Sequence, residues 1–577
     1  MGTVSVTIDG RAVTVPEGST IMEAADRAGI HIPRLCHHPE LGTEGACRVC
    51  VVEVEGVRNL VASCAFPAMP RMNVRTSTPE LRRIRRDIVE LLLDSHPMDC
   101  QTCERNGNCE LQHLAYVTGV RERLFEGERK HHDRDLSSPA LVRDPEKCVL
   151  CHRCVRLCRD VQQMGVLGYF GKGFATVVMP AFDAPLDETP CVACGQCAAV
   201  CPTGALVENS HAERVLCALA DGSRQMVVQV SPAAVAAIGE GFGMAAGTAQ
   251  AGRTVAALKR LGFDVVHNEA LHTHLMVMER AAELVRRLKG NEPLPLVGLC
   301  TPALARLVWS QFPELVPSLS TCDSPMGIHA ALAKTVYAER QGRGPDGVYC
   351  VQATSCTARK LEAELNRPSG SERPCVDAVL TTRELVWMIK SAGICFEQLD
   401  EKEFDHPLGE SKEAEWFPIE PEESAEAVVR ASLWMLTGRG PTAVESAPVQ
   451  EPGGVSIIAA EANGARLRCA VASGLGAAQK LLESVRSGAA DVQYVEIASC
   501  PGGCLSGGGQ PYAAPGTAQQ RARAIAELRG GRQPHLPHEN PHVRRLYDGF
   551  LGRPLGEKSH ELLHMRLGEG EAGRPPK

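Results

Sequence analysis

The 577-residue sequence lacks a strong excess of either charge, since 61 lysines and arginines face 69 aspartates and glutamates and the formal net charge is −8. Nucleic acid and an anionic membrane surface are therefore not expected partners. No apolar run approaches the length that a transmembrane helix needs, so no membrane span is predicted. The first residues also lack the basic segment and apolar block of a secretory signal. We expect a cytoplasmic protein of several domains.

A convincing nucleotide-binding fingerprint is missing as well. The stretch GEGFGMAAG at 239–247 is rich in glycine, but it is weak evidence for phosphate binding. Cysteine, by contrast, is abundant: the chain has 25, and most of them are clustered. In a reducing compartment, closely spaced cysteines are more often metal ligands than disulfides. The cysteine clusters therefore carry the functional prediction.

The first cluster lies in CHHPELGTEGACRVC and the following VASC, and consists of Cys36, Cys47, Cys50 and Cys64. A 2Fe–2S cluster needs four thiolates wrapped by backbone, and a loop that contains glycine permits that close wrap. The alternatives are a structural zinc site or four buried cysteines without a metal. The spacing is ferredoxin-like and differs from two paired CxxC knuckles, so it predicts a 2Fe–2S cluster.

The second cluster combines one histidine with three cysteines in HPMDCQTCERNGNC: His96, Cys100, Cys103 and Cys109. One imidazole with three thiolates also suits zinc, and zinc stays open for this segment by itself. Because cysteine clusters flank the segment on both sides, we expect a 4Fe–4S cluster with a histidine ligand.

The third and fourth clusters form an internal repeat, CVLCHRCVRLC and CVACGQCAAVCP. Each reads CxxCxxCxxxC, which is the two-cluster run of bacterial ferredoxins, where the fourth cysteine of each repeat ligates the other cluster. We expect two 4Fe–4S clusters on Cys148, Cys151, Cys154, Cys158, Cys191, Cys194, Cys197 and Cys201. A series of clusters along one chain is best explained as a conduction path for electrons.

Hydrophobic periodicity predicts two styles of fold. The first 75 residues alternate in strand fashion, and TPELRRIRRDIVELLLDSHP is an amphipathic helix that begins at Thr78-Pro79. The predicted apolar stripe of that helix is Leu81, Ile84, Ile88, Leu91 and Leu92. From Met226 strands and helices alternate in the α/β style. Predicted strands end at cysteines in LVGLC, GVYCVQATSC and DVQYVEIASC.

These motifs resemble iron-only (FeFe) hydrogenases of the multi-subunit, NAD-linked type. The start of the same arrangement also occurs in the large iron–sulfur subunit of respiratory complex I. The second half is similar to the hydrogenase catalytic domain through VVQVSPAAVAAIGEGFGMAAGT, FPELVPSLSTCDSP and SCPGGCLSGGGQPY. The tail HENPHVRRLYDGFLGRPLGEKSHELLH is similar to the small-subunit segment of that family. The resemblance covers essentially the whole chain.

The resemblance implies an α+β multidomain fold. The expected units are a β-grasp 2Fe–2S ferredoxin domain (1–78), a histidine-ligated 4Fe–4S domain (79–138), a double 4Fe–4S ferredoxin domain (139–209), a two-lobed α/β hydrogenase-like domain (210–540) and a small-subunit-like helical tail (541–577).

The active-site motifs of the family are altered in this chain. In the family, the Thr-Ser-Cys-Cys-Pro strand end supplies a proton-passing cysteine, kept here as Cys300, and a ligand of the active-site cubane, which here is Thr301. The resemblance implies further replacements at the active site. Arg280 stands where the family has a carboxylate of the proton relay, and Arg359 stands where it has a lysine that holds a cyanide ligand. Glu422 and Glu423 replace glycines that line the pocket, and Ala498 replaces a methionine. A guanidinium does not release a proton in a protein, and acids in place of glycines fill space. We therefore expect no functional diiron site.

Thiolates nevertheless remain in the hydrogenase-like domain at Cys300, Cys356, Cys500 and Cys504. They suffice for a plain 4Fe–4S cluster if Cys300 turns inward by one position, and the Cys-Pro-Gly-Gly-Cys turn suits a metal site. The alternative is a scaffold of buried, inert cysteines. We expect the cluster. The scattered cysteines are interpreted as packing residues: Cys217, Cys322, Cys350, Cys375, Cys395 and Cys469.

The sequence thus predicts a non-catalytic iron–sulfur electron-transfer subunit with one 2Fe–2S cluster, three 4Fe–4S clusters and a fourth in the hydrogenase-like domain. The resemblance implies an NAD-linked complex, electron-bifurcating or not, with a flavin- and NADH-binding subunit and a thioredoxin-like 2Fe–2S subunit as partners. A nickel hydrogenase or a formate dehydrogenase is a further candidate partner. The alternatives are a divergent hydrogenase, active or sensory, and a regulatory redox sensor.

Overall fold

The computed structural model describes residues 2–123, 125, 127–290, 292–365, 375–408, 421–441, 443–447, 454–512, 516–529 and 536–565. The molecule is an α+β multidomain protein, in which ferredoxin-like domains precede a larger α/β part, as the sequence predicts. Within these ranges, no helix is both long and apolar enough to cross a bilayer.

The N-terminal domain is a mixed sheet with a helix packed on it. Its elements are β1 (Thr3–Ile8), β2 (Arg11–Pro16), α1 (Ile21–Arg27), β3 (Val51–Val54), β4 (Val61–Ala62) and β5 (Asn73–Arg75). The strand order is β2-β1-β5-β3-β4, with β1 antiparallel to β2 and parallel to β5. α1 begins at a capping box between Thr20 and Glu23, and its apolar face joins the core of the sheet. This is the β-grasp arrangement that the sequence predicts.

The helices α2 (Pro79–Asp94) and α3 (Glu110–Thr118) follow the N-terminal sheet. The Thr78 side chain caps α2 by accepting the Leu81 N–H, which confirms the predicted start. The predicted apolar stripe is wrong in part, because Leu91 is 58 % exposed and Ile84, Ile88 and Leu92 are only half-buried. The residues that the fold buries are Leu81, Arg85, Val89, Glu90 and Leu93. Arg85 belongs to the buried face because its guanidinium donates to the Val51 carbonyl at 2.7 Å.

Residues 141–208 form a ferredoxin-like unit with two related halves. Its elements are β6 (Leu141–Arg143), α4 (Arg153–Arg156), β7 (Gly168–Phe170), β8 (Val177–Met179), α5 (Gln196–Val200) and β9 (Leu206–Glu208). β6 and β9 pair antiparallel and bring the start and the end of the unit together. α4 contains Cys154 and α5 contains Cys197, the third cysteine of each repeat, and the two helices contact each other.

The C-terminal part alternates helices and strands. In chain order its elements are α6 (Ala212–Asp221), β10 (Gln225–Val230), α7 (Pro232–Ala237), α8 (Ala251–Leu261), β11 (Val265–Asn268), α9 (Ala270–Gly290), β12 (Leu296–Leu299), α10 (Ala305–Gln311), α11 (Pro325–Leu332), α12 (Ala338–Arg340), β13 (Val348–Thr354), α13 (Ala358–Leu365), β14 (Ala378–Thr381), α14 (Thr382–Ser391), α15 (Pro421–Thr437), β15 (Ala443–Ala447), β16 (Val455–Ala462), β17 (Ala465–Ser473), α16 (Leu475–Arg486), β18 (Tyr494–Ala498), α17 (Thr517–Arg529), α18 (Pro541–Leu546) and α19 (Glu557–Leu563).

Two sheets organise the described residues of this part into two lobes. The first, β11-β10-β13-β14, is parallel throughout. The second, β12-β18-β17-β16-β15, is parallel from β12 to β17 and antiparallel beyond. A buried core joins both lobes, and further cores belong to each lobe separately. The strands predicted to end at Cys300, Cys356 and Cys500 are β12, β13 and β18, so those predictions are confirmed.

The last described elements are the short helices α18 and α19, and His564 forms an isolated bridge with Cys322. Residues 566–577 of the predicted tail lie outside the described residues.

Candidate iron–sulfur sites and the C-terminal pocket

The cysteines predicted to hold the 2Fe–2S cluster lie close together. The sulfur atoms of Cys50 and Cys64 are 3.4 Å apart, and the Cys36 backbone N–H donates to the Cys47 sulfur at 3.4 Å. Cys36, Cys50 and Cys64 are buried. Hydrogen bonds with Cys47 and Cys64 lower the pKa of Cys36 and raise the pKa of both partners, so all of these thiolates form together only beside a compensating positive charge, such as that of irons. This donor set fits a 2Fe–2S cluster.

The predicted histidine ligand is buried and keeps an open ring nitrogen. His96 is 7 % exposed, and among the described residues its Nδ1 atom has no hydrogen-bond partner. Burial lowers the pKa of His96 to about 4, so the imidazole is neutral, as a metal ligand must be. Of its predicted companions, Cys100 begins a short turn, and Cys109 precedes α3, where its sulfur accepts the Gln112 N–H at 3.5 Å. The segment fits a histidine-ligated cluster.

Two small cavities in the ferredoxin-like unit sort the repeat cysteines into sets of four. The first cavity is lined by Cys148, Cys151, Cys154 and Cys201. The second cavity is lined by Cys158, Cys191, Cys194 and Cys197. The fourth cysteine of each repeat thus lines the cavity of the other repeat, which is the exchange expected of the ferredoxin pattern.

These cavities suit positively charged guests. Burial raises the pKa of Cys148 and of Cys191 to about 11. Their thiolate forms therefore need a compensating positive charge, which the irons of a cluster supply. Both donor sets fit 4Fe–4S clusters.

Both N-terminal sites adjoin the first cavity. Arg153 and Arg156 of α4 donate to the 2Fe–2S loop, at 2.8 Å to the His37 carbonyl and at 2.7 Å to the Cys36 carbonyl. On another side of the cavity, a Cβ at position 204 would lie 2.9 Å from the Cys103 sulfur, so Gly204 permits the close approach of the histidine–cysteine segment. The 2Fe–2S site and the histidine site therefore converge on one ferredoxin-like cavity.

The second cavity adjoins the C-terminal part instead. A Cβ at Gly508 would lie 2.4 Å from the Cys194 carbonyl oxygen, so only glycine allows the loop after Cys504 to pack there. The Thr357 hydroxyl, next to Cys356, donates to the Ala193 carbonyl at 2.8 Å. The order of the sites along the molecule is therefore fixed by packing as well as by sequence.

The C-terminal cysteines gather where strands of the two sheets end. The Cys300 backbone N–H donates to the Ile497 carbonyl at 2.9 Å, which holds the end of β12 beside the end of β18 and Cys500. Burial raises the pKa of Cys356, and the neighbouring Cys500 and Cys300 sulfurs raise it further. The Ser355 hydroxyl donates to the Cys504 carbonyl at 2.8 Å. Cys300, Cys356, Cys500 and Cys504 thus belong to one neighbourhood.

Thr301 is engaged in a polar network beside these cysteines. It is fully buried, and its hydroxyl donates to Glu362 Oε2 at 2.6 Å. Arg359 Nη1 donates to both Glu362 oxygens at 3.0 Å, and the Ser324 hydroxyl also donates to this carboxylate. Glu362 is itself 0 % exposed. Its buried charge is therefore satisfied by Thr301, Ser324 and Arg359 together.

A second network lies behind Cys300. Arg280 is 2 % exposed, and its Nη1 donates to both oxygens of Glu496 at 3.1 and 2.9 Å. Its Nη2 donates to the Leu299 carbonyl at 2.6 Å. Burial lowers the pKa of Arg280, but Glu496, Tyr494 and Cys322 together raise it above its usual value, so the guanidinium stays charged. Glu283 lies elsewhere on α9, where it accepts from Ser320 at 2.7 Å and from Arg287 at 3.2 Å.

Other changed positions are less central. Ala498 is buried at the end of β18, and Glu422 of α15 accepts from Ser456 at 3.3 Å and from Ser473 at 3.4 Å.

The interpretation of the scattered cysteines as packing residues holds for those that are buried: Cys322, Cys350, Cys375 and Cys469. It is wrong for Cys217 and Cys395, which are exposed.

Sequence reasoning missed Glu362, Glu496 and Gln162. Glu362 had a weak local signal, because it follows Arg359 by one helical turn. Glu496 lies 216 residues from its partner Arg280, and no sequence pattern links them. Gln162, a buried amide next to Cys194, likewise has no signal in the sequence.

Single-ion metal sites receive no support from this geometry. In the part of the chain that the structure describes, no group of three or more histidine, cysteine, aspartate or glutamate residues has an arrangement that would hold one metal ion.

The chain matches family profiles along most of its length. The profile described as the iron only hydrogenase large subunit, C-terminal domain, matches 224–508, and the iron hydrogenase small subunit matches 516–566. Ahead of them lie a 2Fe-2S iron-sulfur cluster binding domain at 2–79, an NADH-ubiquinone oxidoreductase-G iron-sulfur binding region at 85–123 and an NADH-quinone oxidoreductase subunit 3 ferredoxin-like domain at 138–207. Cluster-binding domains of both the 2Fe–2S and the 4Fe–4S type are therefore present.

Whole-length relatives agree with these profiles. The NADP-reducing hydrogenase subunit HndD of Solidesulfovibrio fructosivorans is 40% identical, over 98% of this chain and 98% of that protein. Iron hydrogenase 1 of Clostridium pasteurianum is 30% identical, over 97% of this chain and 99% of its own length. An apo FeFe hydrogenase structure from Chlamydomonas reinhardtii superimposes with a TM-score of 0.57 at 32% identity, covering 62% of this chain and 98% of that one.

Proposed function

The chain belongs to the iron-only hydrogenase family, and from this premise we propose that it is an iron–sulfur electron-transfer subunit of an NAD(P)-linked complex, without a functional diiron site of its own. Clusters bound at the cysteine sites supply one-electron transfer. The chain's own residues hold the sites in order, exclude water from them and tune them.

The observation that carries the loss of diiron chemistry is Thr301. The family places a cluster ligand at this position, and here the side chain is a hydroxyl that already donates to Glu362 at 2.6 Å. The same carboxylate binds Arg359, the residue that the resemblance places where a lysine holds cyanide. Releasing Thr301 or Arg359 toward a metal group would leave a buried carboxylate short of donors, which is costly.

The Arg280–Glu496 pair supports the same proposal. A permanently charged guanidinium bonded to the Leu299 carbonyl occupies the position next to Cys300 where the resemblance expects a relay carboxylate. Because arginine does not release its proton, it cannot pass protons inward.

The placement of the sites supports electron transfer. The 2Fe–2S loop and the histidine segment both adjoin the first ferredoxin-like cavity, and the second cavity adjoins the C-terminal cysteines. Among the described residues, two branches thus meet at the first cavity, and the contacts of the second cavity lead toward Cys356 and Cys500. A plain 4Fe–4S cluster on Cys300, Cys356, Cys500 and Cys504 would end the series.

The partners follow from the relatives. One of them is named as a subunit of an NADP-reducing hydrogenase, and two N-terminal profiles are named after NADH oxidoreductases. We therefore expect a flavin- and nicotinamide-binding subunit and a thioredoxin-like 2Fe–2S subunit. A nickel hydrogenase or a formate dehydrogenase would supply the substrate chemistry, in a complex that bifurcates electrons or does not.

Infrared spectroscopy tests the absence of a diiron site. The chain is co-expressed with hydrogenase maturation proteins, beside a catalytic member of the family as the matched control. Bound carbon monoxide and cyanide absorb where protein does not, so the control should show those bands and this chain should show none, together with no hydrogen turnover.

Gentle anaerobic purification from the native source tests the subunit role. NADH or NADPH should reduce the clusters of the recovered complex, seen by electron paramagnetic resonance, and should leave those of the isolated chain oxidised. A free monomer that the nicotinamide reduces without a flavoprotein would refute the proposal.

The second candidate is a divergent hydrogenase, active or sensory. The retained Cys356, Cys500 and Cys504 favour it. So does Glu283, which the resemblance makes the retained partner carboxylate of the proton relay and which accepts from Ser320 and Arg287. Detection of carbonyl and cyanide bands together with hydrogen turnover would favour this candidate over the proposed electron-transfer function.

A further inference from the structure

Gln162 is a buried amide at the boundary between the ferredoxin-like unit and the C-terminal part. It is 1 % exposed and follows the first cysteine repeat. Its Oε1 accepts the Leu475 N–H at 3.0 Å, at the start of α16. A backbone N–H can only donate, so this contact fixes which end of the amide is oxygen and directs the nitrogen to the other side.

The amide nitrogen joins the two cysteine neighbourhoods. Gln162 Nε2 lies 3.6 Å from the Cys194 sulfur in the second cavity and donates to the Ser499 carbonyl at 2.8 Å. Ser499 directly precedes Cys500, and its hydroxyl lies 3.5 Å from the Cys500 sulfur. The contact between Gln162 and Ser499 spans 337 residues of sequence, so it exists only because the two parts pack together.

An N–H directed at a cluster thiolate changes the energy of reduction. The reduced cluster carries one more negative charge than the oxidised one, and a hydrogen-bond donor stabilises that charge. In a dry site this effect is stronger than in water. Removing the donor should therefore make the cluster harder to reduce.

We propose that Gln162 is a positioning residue that raises the reduction potential of the cluster in the second cavity and fixes that cavity against the Cys500 loop. The inference rests on the proposed function, since it requires a cluster on Cys158, Cys191, Cys194 and Cys197. The step it controls is the uptake of one electron from a reduced neighbouring cluster, in which no bond forms or breaks.

Potentiometric titration of the full-length, anaerobically reconstituted protein tests this, with paramagnetic resonance as the readout. The signal of the second cavity is assigned by its absence from a Cys191→Ser variant. Gln162→Leu removes the donor and the acceptor, and Gln162→Glu keeps the acceptor but replaces the donor with a carboxylate oxygen. Both should shift the reduction equilibrium of this one signal at least tenfold toward the oxidised state, about 59 mV for one electron.

Gln479→Leu is the matched control. Gln479 donates to the backbone carbonyls of Gln162 and Gln163 at 3.4 and 3.1 Å in the same interface, but the contacts that the structure gives it include no cysteine. In Gln479→Leu, the reduction potential of the cluster in the second cavity should equal that of wild type. The reduction potentials of the other clusters should be unchanged in all variants.

Three results would overturn the inference. These are an unshifted potential in both Gln162 variants, an equal shift in Gln479→Leu, and loss of the second cluster itself, which would make the amide an assembly residue. If the wild-type chain shows no such cluster at all, the proposed function fails, and iron counting on wild type separates that case.

Discussion

In the ferredoxin-like unit each small cavity is lined by four cysteines, whereas in the C-terminal part the residue after Cys300 is a threonine bonded to Glu362. Both regions keep their strands, helices and buried cores. The C-terminal part has cysteines too, but two buried ion pairs, Arg359–Glu362 and Arg280–Glu496, lie beside them. In the ferredoxin-like unit, burial raises the pKa of Cys148 and Cys191, and a bound cluster would balance the charge of their thiolates. In the C-terminal part, buried charges already satisfy each other.

Under the proposed function, the hydrogenase-like fold is kept without the diiron group. An ion pair such as Arg359–Glu362 or Arg280–Glu496 stabilises a pocket without any guest, provided that every charge has a partner. A cavity of four cysteines has no such internal substitute. The predictions below test whether the two regions differ in this way.

The largest effect should come from replacing the fourth cysteine of each repeat with serine. Cys158→Ser should abolish the same paramagnetic signal as Cys191→Ser, and Cys201→Ser the same signal as Cys151→Ser, because each pair lines one cavity. Each variant should lose about four of the roughly 14 irons that four N-terminal clusters hold. If Cys158→Ser instead removed the signal of Cys151→Ser, the cavity assignment would be wrong.

The next comparison concerns the C-terminal cysteines. If they hold a plain cubane, wild type should bind about 18 irons, and Cys300→Ser should bind about four fewer. Cys322→Ser is the control, because Cys322 is buried and lies outside the ligand motifs, and it should lose no iron. Equal iron in wild type and Cys300→Ser would mean that Cys300 only packs.

Breaking the charge network behind Cys300 should destabilise the C-terminal part. Arg280→Met leaves Glu496 buried without its main cation, which should cost about 3–5 kcal/mol of unfolding free energy. Arg286→Met removes an exposed pair with Glu292 from the same helix and should cost at most about 1 kcal/mol. Thermal unfolding followed by circular dichroism measures both. Equal costs would show that the buried network contributes nothing special.

The smallest effect separates the two faces of α2. Leu93→Ala removes a buried side chain and should cost about 2–5 kcal/mol of unfolding free energy, measured by thermal unfolding followed by circular dichroism. Leu91→Ala changes an exposed position and should stay within about 0.5 kcal/mol of wild type. A larger cost for Leu91→Ala than for Leu93→Ala would mean that α2 buries the apolar stripe that periodicity predicts.

Local pattern was enough for several features of this protein. The strands β12, β13 and β18 and the capped start of α2 follow from periodicity and capping signals. The lining of each small cavity by the fourth cysteine of the other repeat follows from the cysteine spacing. Periodicity predicts part of the buried face of α2 wrongly, because it considers only apolar residues. It does not predict that Arg85 is buried and donates to the Val51 carbonyl. The exposure of Cys217 and Cys395 is also not readable from the sequence, because a cysteine outside a ligand motif can be buried or exposed.

The sequence by itself determined which residue types stand at the ligand positions, including the change to Thr301, because covalent spacing and strand ends are local properties. The tertiary structure decided what those residues do. Thr301 and Glu362 are 61 residues apart, Arg280 and Glu496 are 216 apart, and Gln162 and Ser499 are 337 apart. A buried hydroxyl, charge or amide takes whichever partner packing brings within hydrogen-bond distance, and only the folded chain specifies that partner.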